Sequence, residues 1–263
     1  MPIRGLCVPT LPAGAETASC GRNLRVRFFK HLLPFRVISF DLDDTLYDNA
    51  PAIRRAEQAF ADYLQQHYRL PPGTGCGFWR QCRDQVLAED RSCGDDVTLL
   101  RTRVIRLGFS RLGRSVSPGE ALELTEIFVT MRSDITVSPE VVRLLRDLRR
   151  RYVLAALSNG NVSLGQLGLQ ELFSLNLRPR YRQLRRKPHA DLFELLSSRL
   201  QVPPAGILHV GDEPDSDVRG AVLAGCQCAW LDRGYARRLP GLEAISILPH
   251  VVLDDIGELR AFL

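Results

Sequence analysis

Lysine is nearly missing from this chain. Of its 35 lysine and arginine residues only two, Lys30 and Lys187, are lysine. A bias that broad follows codon preference more simply than function, so the net charge of +5 says little by itself. The basic residues are scattered, and no nucleic-acid recognition motif accompanies them. No apolar run approaches the ~18 residues of a membrane span. C-x-x-C pairs are absent too. The seven cysteines (Cys7, Cys20, Cys76, Cys82, Cys93, Cys226 and Cys228) form an odd set, which argues against a disulfide framework or a zinc site. They read as reduced thiols and predict a cytoplasmic protein. Nor is there a secretory core, because the apolar stretch from Leu6 to Pro12 is broken by proline.

What remains is the composition of a packed globular protein, 263 residues with 45% hydrophobic and 25% charged. Residues 1–25, with Pro2, Pro9, Pro12, Gly5, Gly14 and Gly21, lack periodicity and read as a disordered N-terminal extension. The ordered chain is organised around Val37 to Tyr47. Its apolar run, Val37 to Phe40, predicts a buried strand that ends in Asp41, Asp43 and Asp44. If strand geometry persists, Asp41 and Asp43 face one side and Leu42 turns into the core. Two adjacent carboxylates repel, so they call for a shared proton or a hard cation such as Mg²⁺. An isolated D-x-D-x-T is equally a solvated acidic turn. Other strand ends must decide.

Four helical patterns follow, Ala50 to Leu64, Phe78 to Leu87, Val97 to Phe109 and Pro118 to Met131, with Pro71-Pro72-Gly73 and Leu112-Gly113 as turns. They predict a helical insert able to lie over the carboxylates, with Arg101 or Arg103 facing an anionic ligand. From Ser138-Pro139, a helix start, the chain alternates helix and strand. Strands are expected at Tyr152 to Leu157, Leu172 to Leu177, Ile207 to Val210, Gln227 to Leu231 and His250 to Leu253. Helices are expected at Val141 to Arg150, His189 to Leu200, Ser216 to Ala224 and Ile256 to Phe262. Repeated β-α units require a parallel sheet with right-handed crossovers. Ser158-Asn159-Gly160 and Gly211-Asp212 fall at strand ends, where ligands gather in such sheets. Lys187 is unexpected in a chain that otherwise uses arginine, which suggests that a compact point charge is needed there.

This ordered set resembles the haloacid-dehalogenase (HAD) superfamily. Asp41-x-Asp43-x-Thr45 matches its first motif, Ser158 its second, Lys187-Pro188 its third, and Gly211-Asp212 through Asp217 its fourth. The resemblance implies an α/β fold, a Rossmann-like parallel-sheet core over 26–47 and 136–263 with an inserted helical C1 cap over 48–135. It further implies Mg²⁺-dependent phosphomonoester hydrolysis, with Asp41 as nucleophile and Asp43 as acid, then base. Lys187 and Ser158 would stabilise the transferring group, and Asn159 and Thr45 would join Ser158 in substrate binding. Asp41, the Asp43 carbonyl and Asp212 would hold the metal, with Asp217 behind them. Dehalogenases of the family lack the Asp43 acid and its P-type ATPases carry threonine there, so neither fits.

Arg27-Phe-Phe, Phe40 to Asn49, Asp96-Val-Thr98, Ser158 to Asn161 and Leu208 to Asp212 look like the bacterial YigB-type phosphatases. Those hydrolyse FMN and 5-amino-6-(5-phospho-D-ribitylamino)uracil, a riboflavin precursor. The likeness implies a natural start near Val26, read from a GUG codon, which would make residues 1–25 a start-site artefact. A small phosphorylated metabolite is the expected partner, with no nucleic acid or membrane, and a monomer or homodimer is expected. A sugar phosphate, phosphoglycolate or a nucleoside monophosphate is the alternative substrate. A non-catalytic phosphate-binding module is the alternative from another class, which a missing acid or lysine would favour. The Glu213-Pro214 pair is expected to alter the metal's surroundings, and the arginine-rich run Leu177 to Arg186 to be a phosphate-attracting loop or plain surface.

Overall fold

The computed structural model describes residues 26–233 and 247–263. The extension expected at 1–25 lies outside them. Seven strands form one sheet: β1 (Arg27–Phe28), β2 (Val37–Phe40), β3 (Val153–Leu157), β4 (Leu175–Leu177), β5 (Ile207–Gly211), β6 (Gln227–Leu231) and β7 (Val251–Leu253). Their order is β1-β7-β6-β5-β2-β3-β4. Every pairing is parallel except β1 with β7. The antiparallel edge strand β1 was expected only as an ordered lead-in. Two residues carry too little pattern to announce a strand.

The strand β2 is central, between β3 and β5, and all four of its residues are buried. That is why it reads as an unbroken apolar run. Alternation divides its neighbours. Ile38 and Phe40 join the cluster with Leu144, Leu148 and Phe262, whereas Val37 joins Leu192, Phe193 and Val218 on the other face. The sheet is therefore covered on both sides, and the carboxyl end of β2 emerges at its middle.

Between β2 and β3 the insert contributes α1 (Asn49–His67), α2 (Cys76–Glu89), α3 (Val97–Arg111) and α4 (Pro118–Arg132). Asp48, Asp96 and Ser117 cap α1, α3 and α4, each side chain accepting a first-turn backbone N–H. Their apolar stripes meet in a separate cluster around Phe60, Trp79, Ile105, Phe109 and Phe128. Val137 already belongs to the sheet's cluster. No helix among the described residues is long and apolar enough to cross a membrane.

The remaining helices are α5 (Pro139–Arg149), α6 (Asp191–Leu200) and α7 (Gly220–Leu223). Two expectations need correction. The helix expected over Ser216 to Ala224 opens as a π-helical turn, Pro214–Arg219, before the short α7. Proline removes a donor there, and Val218 N–H reaches back five residues to the Glu213 carbonyl. The closing helix is a 3₁₀ helix, Ile256–Phe262. Its buried Ile256, Leu259 and Phe262 recur every third residue, which matches three residues per turn.

Candidate active site

One hydrogen bond extends the central ladder past β2, from Asp41 N–H to the Val210 carbonyl at 2.8 Å. The chain then turns, and the Leu46 N–H bonds the Leu42 carbonyl at 3.0 Å. Strand geometry thus ends earlier than expected. Leu42 does enter the core, fully buried. Asp44 adopts a left-handed conformation and accepts the Asn49 N–H at the start of α1.

Asp41 faces a buried lysine. Lys187 Nζ donates to Asp41 Oδ1 at 2.7 Å, to Asp217 Oδ1 at 2.6 Å and to the Leu157 carbonyl at 2.6 Å. All three ammonium donors are satisfied, as a buried charge requires. Burial alone would push this lysine down, but Asp217 and Asp41 outweigh it and hold its pKa above the ordinary value. Asp217 also takes His209 Nε2 at 3.2 Å and the Glu213 N–H at 3.0 Å. Burial would raise its carboxyl; Lys187 and His209 bring it below the usual range. Burial lowers the pKa of His209, and its Nδ1 meets Ser39 Oγ at 2.9 Å. Gly211 makes room, since a side chain there would overlap the Asp217 carboxyl.

Carboxylate oxygens of Asp41, Asp212 and Asp217 all lie within 4.8 Å of one another. Burial, then the charge of Asp217, pushes Asp212 up to about 7. Lys187 balances only part of this charge. An all-oxygen donor set with excess negative charge fits a hard divalent cation such as Mg²⁺. Asp217 lies within the group, yet its oxygens are taken by Lys187, His209 and a backbone N–H. Asp41 and Asp212 are the open carboxylates.

The remaining expected residues divide. The Ser158 hydroxyl is buried beside the Asp41 loop and accepts the Gly160 N–H at 2.9 Å. Thr45 and Asn159, expected to bind substrate, make side-chain hydrogen bonds to other site residues, and Asn159 also lines the cavity under the insert. Thr45 Oγ1 donates to Asp212 at 3.0 Å. The Asn159 amide spans the Lys187 backbone, donating to its carbonyl at 3.0 Å and accepting its N–H at 2.9 Å. Both therefore hold other site residues in place.

Asp43 points toward the insert. Its Oδ1 accepts the Tyr47 hydroxyl at 2.7 Å and Arg132 Nη2 at 2.8 Å. Arg132, 3% exposed at the end of α4, also reaches Asn49 Oδ1 at 3.0 Å and Asn161 Oδ1 at 3.2 Å. Sequence reading missed it. One signal was present: Arg132 continues the buried stripe of Ala121, Leu124, Thr125 and Phe128 at helical spacing, where an arginine is out of place. Gly160 packs against this pair, and a Cβ there would overlap Asp43 Oδ2.

Above Asp43 a cavity of about 440 Å³ opens between the insert and the strand ends, lined by Phe60, Trp79, Arg101, Phe128, Arg132 and Gly160 among others. Of the two arginines expected to face a ligand, Arg101 lines it. Arg103 instead pairs with Asp90 at 3.1 Å and lies over the Tyr181 ring. The arginine-rich run is a clasp. Tyr181 packs with the insert's apolar cluster, and its hydroxyl donates to Asp90 at 2.7 Å. Glu213 caps the following turn by accepting the Ser216 N–H.

A parallel sheet with acids and a lysine at its central strand ends, under a helical insert, is the architecture of a known hydrolase class. Residues 35–225 match the family model of the haloacid dehalogenase-like hydrolases, and the chain belongs to that family. Among its relatives is the 5-amino-6-(5-phospho-D-ribitylamino)uracil phosphatase YigB of Escherichia coli K12. The two are 30% identical over 242 residues, spanning 90% of this chain and 100% of YigB. A phosphoserine phosphatase from Thermus thermophilus is 37% identical over 140 residues, 51% of this chain and 55% of that protein. A solved structure described as a 2-haloacid dehalogenase from Pseudomonas syringae superposes with a TM-score of 0.72 at 29% identity, covering 86% of this chain and 96% of that one.

Proposed function

We propose that this HAD-family phosphatase is a Mg²⁺-dependent phosphomonoesterase acting through an aspartyl-phosphate on Asp41. FMN or 5-amino-6-(5-phospho-D-ribitylamino)uracil is the proposed substrate. The observation that carries the chemistry is the pair at the end of β2: Asp41 on Lys187 at 2.7 Å, and Asp43 beneath the insert cavity.

An Asp41 oxygen attacks phosphorus as the bond to the leaving oxygen breaks. Asp43 gives its proton to the departing alkoxide, then takes one from the water that attacks the aspartyl-phosphate. That second step returns free Asp41 and inorganic phosphate. Lys187 and Ser158 stabilise charge on the transferring group, with Lys187 held by Asp217 and Asn159. Mg²⁺ held by Asp41, Asp212 and the Asp43 carbonyl would offset repulsion between carboxylate and phosphate dianion.

Similarity to YigB along its whole length supports the flavin-related substrate. The cysteines among the described residues carry free thiols, which supports a reducing, cytoplasmic setting. A phosphate-release screen tests the reading, with Mg²⁺ or chelator and with FMN, the ribitylaminouracil phosphate, phosphoglycolate and sugar phosphates. Metal-dependent release that Asp41→Asn abolishes is expected. Near wild-type turnover in that variant overturns the nucleophile assignment. Activity confined to phosphoglycolate or sugar phosphates overturns the substrate.

A further inference from the structure

Among the arginines that line the cavity, Arg80, Arg83 and Arg186 are exposed, whereas Arg101 is half-buried and held by a ring, with Glu57 on the same lining. Arg101, on α3, lies over the Phe128 ring with its guanidinium carbon 3.6 Å from the centroid. Among the described residues it makes no ion pair and no hydrogen bond. Three other cations of the site are engaged. Arg132 holds Asp43, Asn49 and Asn161, Lys187 holds two carboxylates, and Arg103 holds Asp90. A half-buried guanidinium stacked on a ring keeps its in-plane N–H groups for an acceptor. Burial lowers its pKa to about 10; Glu57 opposes this through space, and Arg83 and Arg132 add to it.

A second orphan lies on the same wall. The Trp79 indole N–H is buried without an acceptor, and Trp79 lines the same cavity. Its ring is pressed against Gly108 of α3, where any side chain would overlap it. The floor of the cavity is Asp43, Arg132 and Gly160, and Phe60 and Ile53 are apolar walls. A volume of about 440 Å³ suits a small organic molecule. Asp43 and Arg101 line the same cavity, so an ester whose leaving oxygen meets Asp43 shares that space with Arg101.

We infer that Arg101 is a specificity-determining residue, selecting phosphate esters whose leaving group carries acceptor oxygens, either ring carbonyls or a carboxylate. The inference rests on the phosphatase reading for its substrate class. Its test is separable from that reading, because binding can be measured without turnover.

Asp41→Asn, alone and combined with Arg101→Gln, is titrated calorimetrically in Mg²⁺ with FMN, phosphoglycolate and phenyl phosphate. Phenyl phosphate has no acceptor on its leaving group. Adding Arg101→Gln is expected to weaken FMN or phosphoglycolate at least tenfold more than phenyl phosphate. Weakening of FMN identifies ring carbonyls, and weakening of phosphoglycolate identifies a carboxylate. Equal weakening of all three, no weakening, or failure of both acceptor-bearing esters to bind overturns the inference. In the active enzyme, the kcat/KM ratio of the same ester to phenyl phosphate should fall tenfold in Arg101→Gln. If binding shifts as expected and no ester is hydrolysed, the phosphatase reading fails and the assignment of Arg101 stands.

Discussion

Arg132 and Asp43 form an ion pair at 2.8 Å across the boundary between insert and sheet. The arginine ends α4, and the carboxylate follows β2, 89 residues away in the chain. The position of the insert and the aim of the acid are therefore one structural fact. With Tyr47 on the same oxygen, Asp43 is held by donors from both sides of that boundary.

If Arg132 aims the acid, its loss should matter most where protonation of the leaving group matters most. Arg132→Gln is expected to lower kcat on an alkyl phosphate by about 10–100-fold, part of the ~10²–10⁴-fold range of general acid catalysis. The loss on p-nitrophenyl phosphate, whose leaving group departs without help, should be severalfold smaller. Equal losses on the two substrates would show that Arg132 serves folding alone.

Gly160 makes a related demand. A methyl group there overlaps Asp43 Oδ2 and crowds Arg132 Nη1 and Ser158 Oγ. Gly160→Ala should displace the acid, so turnover should drop more than tenfold while the melting temperature shifts only a few degrees. Unchanged kcat would mean that the loop gives way without moving Asp43.

Lys187 poses a question of stability as well as rate. Its side chain has no exposure, and it separates the buried Asp41 and Asp217. Lys187→Met leaves both carboxylates without their cation, and breaking such a buried pair costs about 3–5 kcal/mol. Urea unfolding in chelator should register that loss. Lys187→Arg keeps the charge but brings a planar fork into a space shaped for a point, so it should also lose turnover. Wild-type stability in Lys187→Met would remove the lysine from its structural role.

These relationships differ in how far the residues alone announced them. Asp41, Ser158 and Asp212 stood out because each follows a buried apolar run, and strand ends meet in a parallel sheet wherever the crossovers lead; Lys187 stood out as a lysine in a chain of arginines. The Ser138-Pro139 start marked α5 for a similarly local reason. The roles of Thr45 and Asn159 were not visible, because their partners Asp212 and Lys187 lie 167 and 28 residues away. Arg132 was hidden by composition: one arginine among so many draws no notice, although its place on an apolar stripe was a clue. The 3₁₀ and π turns escaped because short segments with spacing three or five resemble an α-helical pattern.

The clasp at Tyr181 gives the last expectation. Arg180 and Leu184 exchange backbone hydrogen bonds at 2.9 Å in both directions, forming a tight turn three residues before Lys187. Tyr181, at its tip, reaches the insert through Asp90 and receives Arg103 over its ring. The turn thus ties the lysine's loop to the helices over the cavity. Tyr181→Phe removes the hydroxyl bond and keeps the ring, so the apolar contact and the fold should persist. Amide hydrogen exchange at Arg180 and Leu184 should quicken, because those bonds open more often once the tip is loose. The core amides of β2 and β5 should keep their wild-type rates. If the turn exchanges no faster in the variant, the Asp90 bond is incidental and the ring alone holds the clasp.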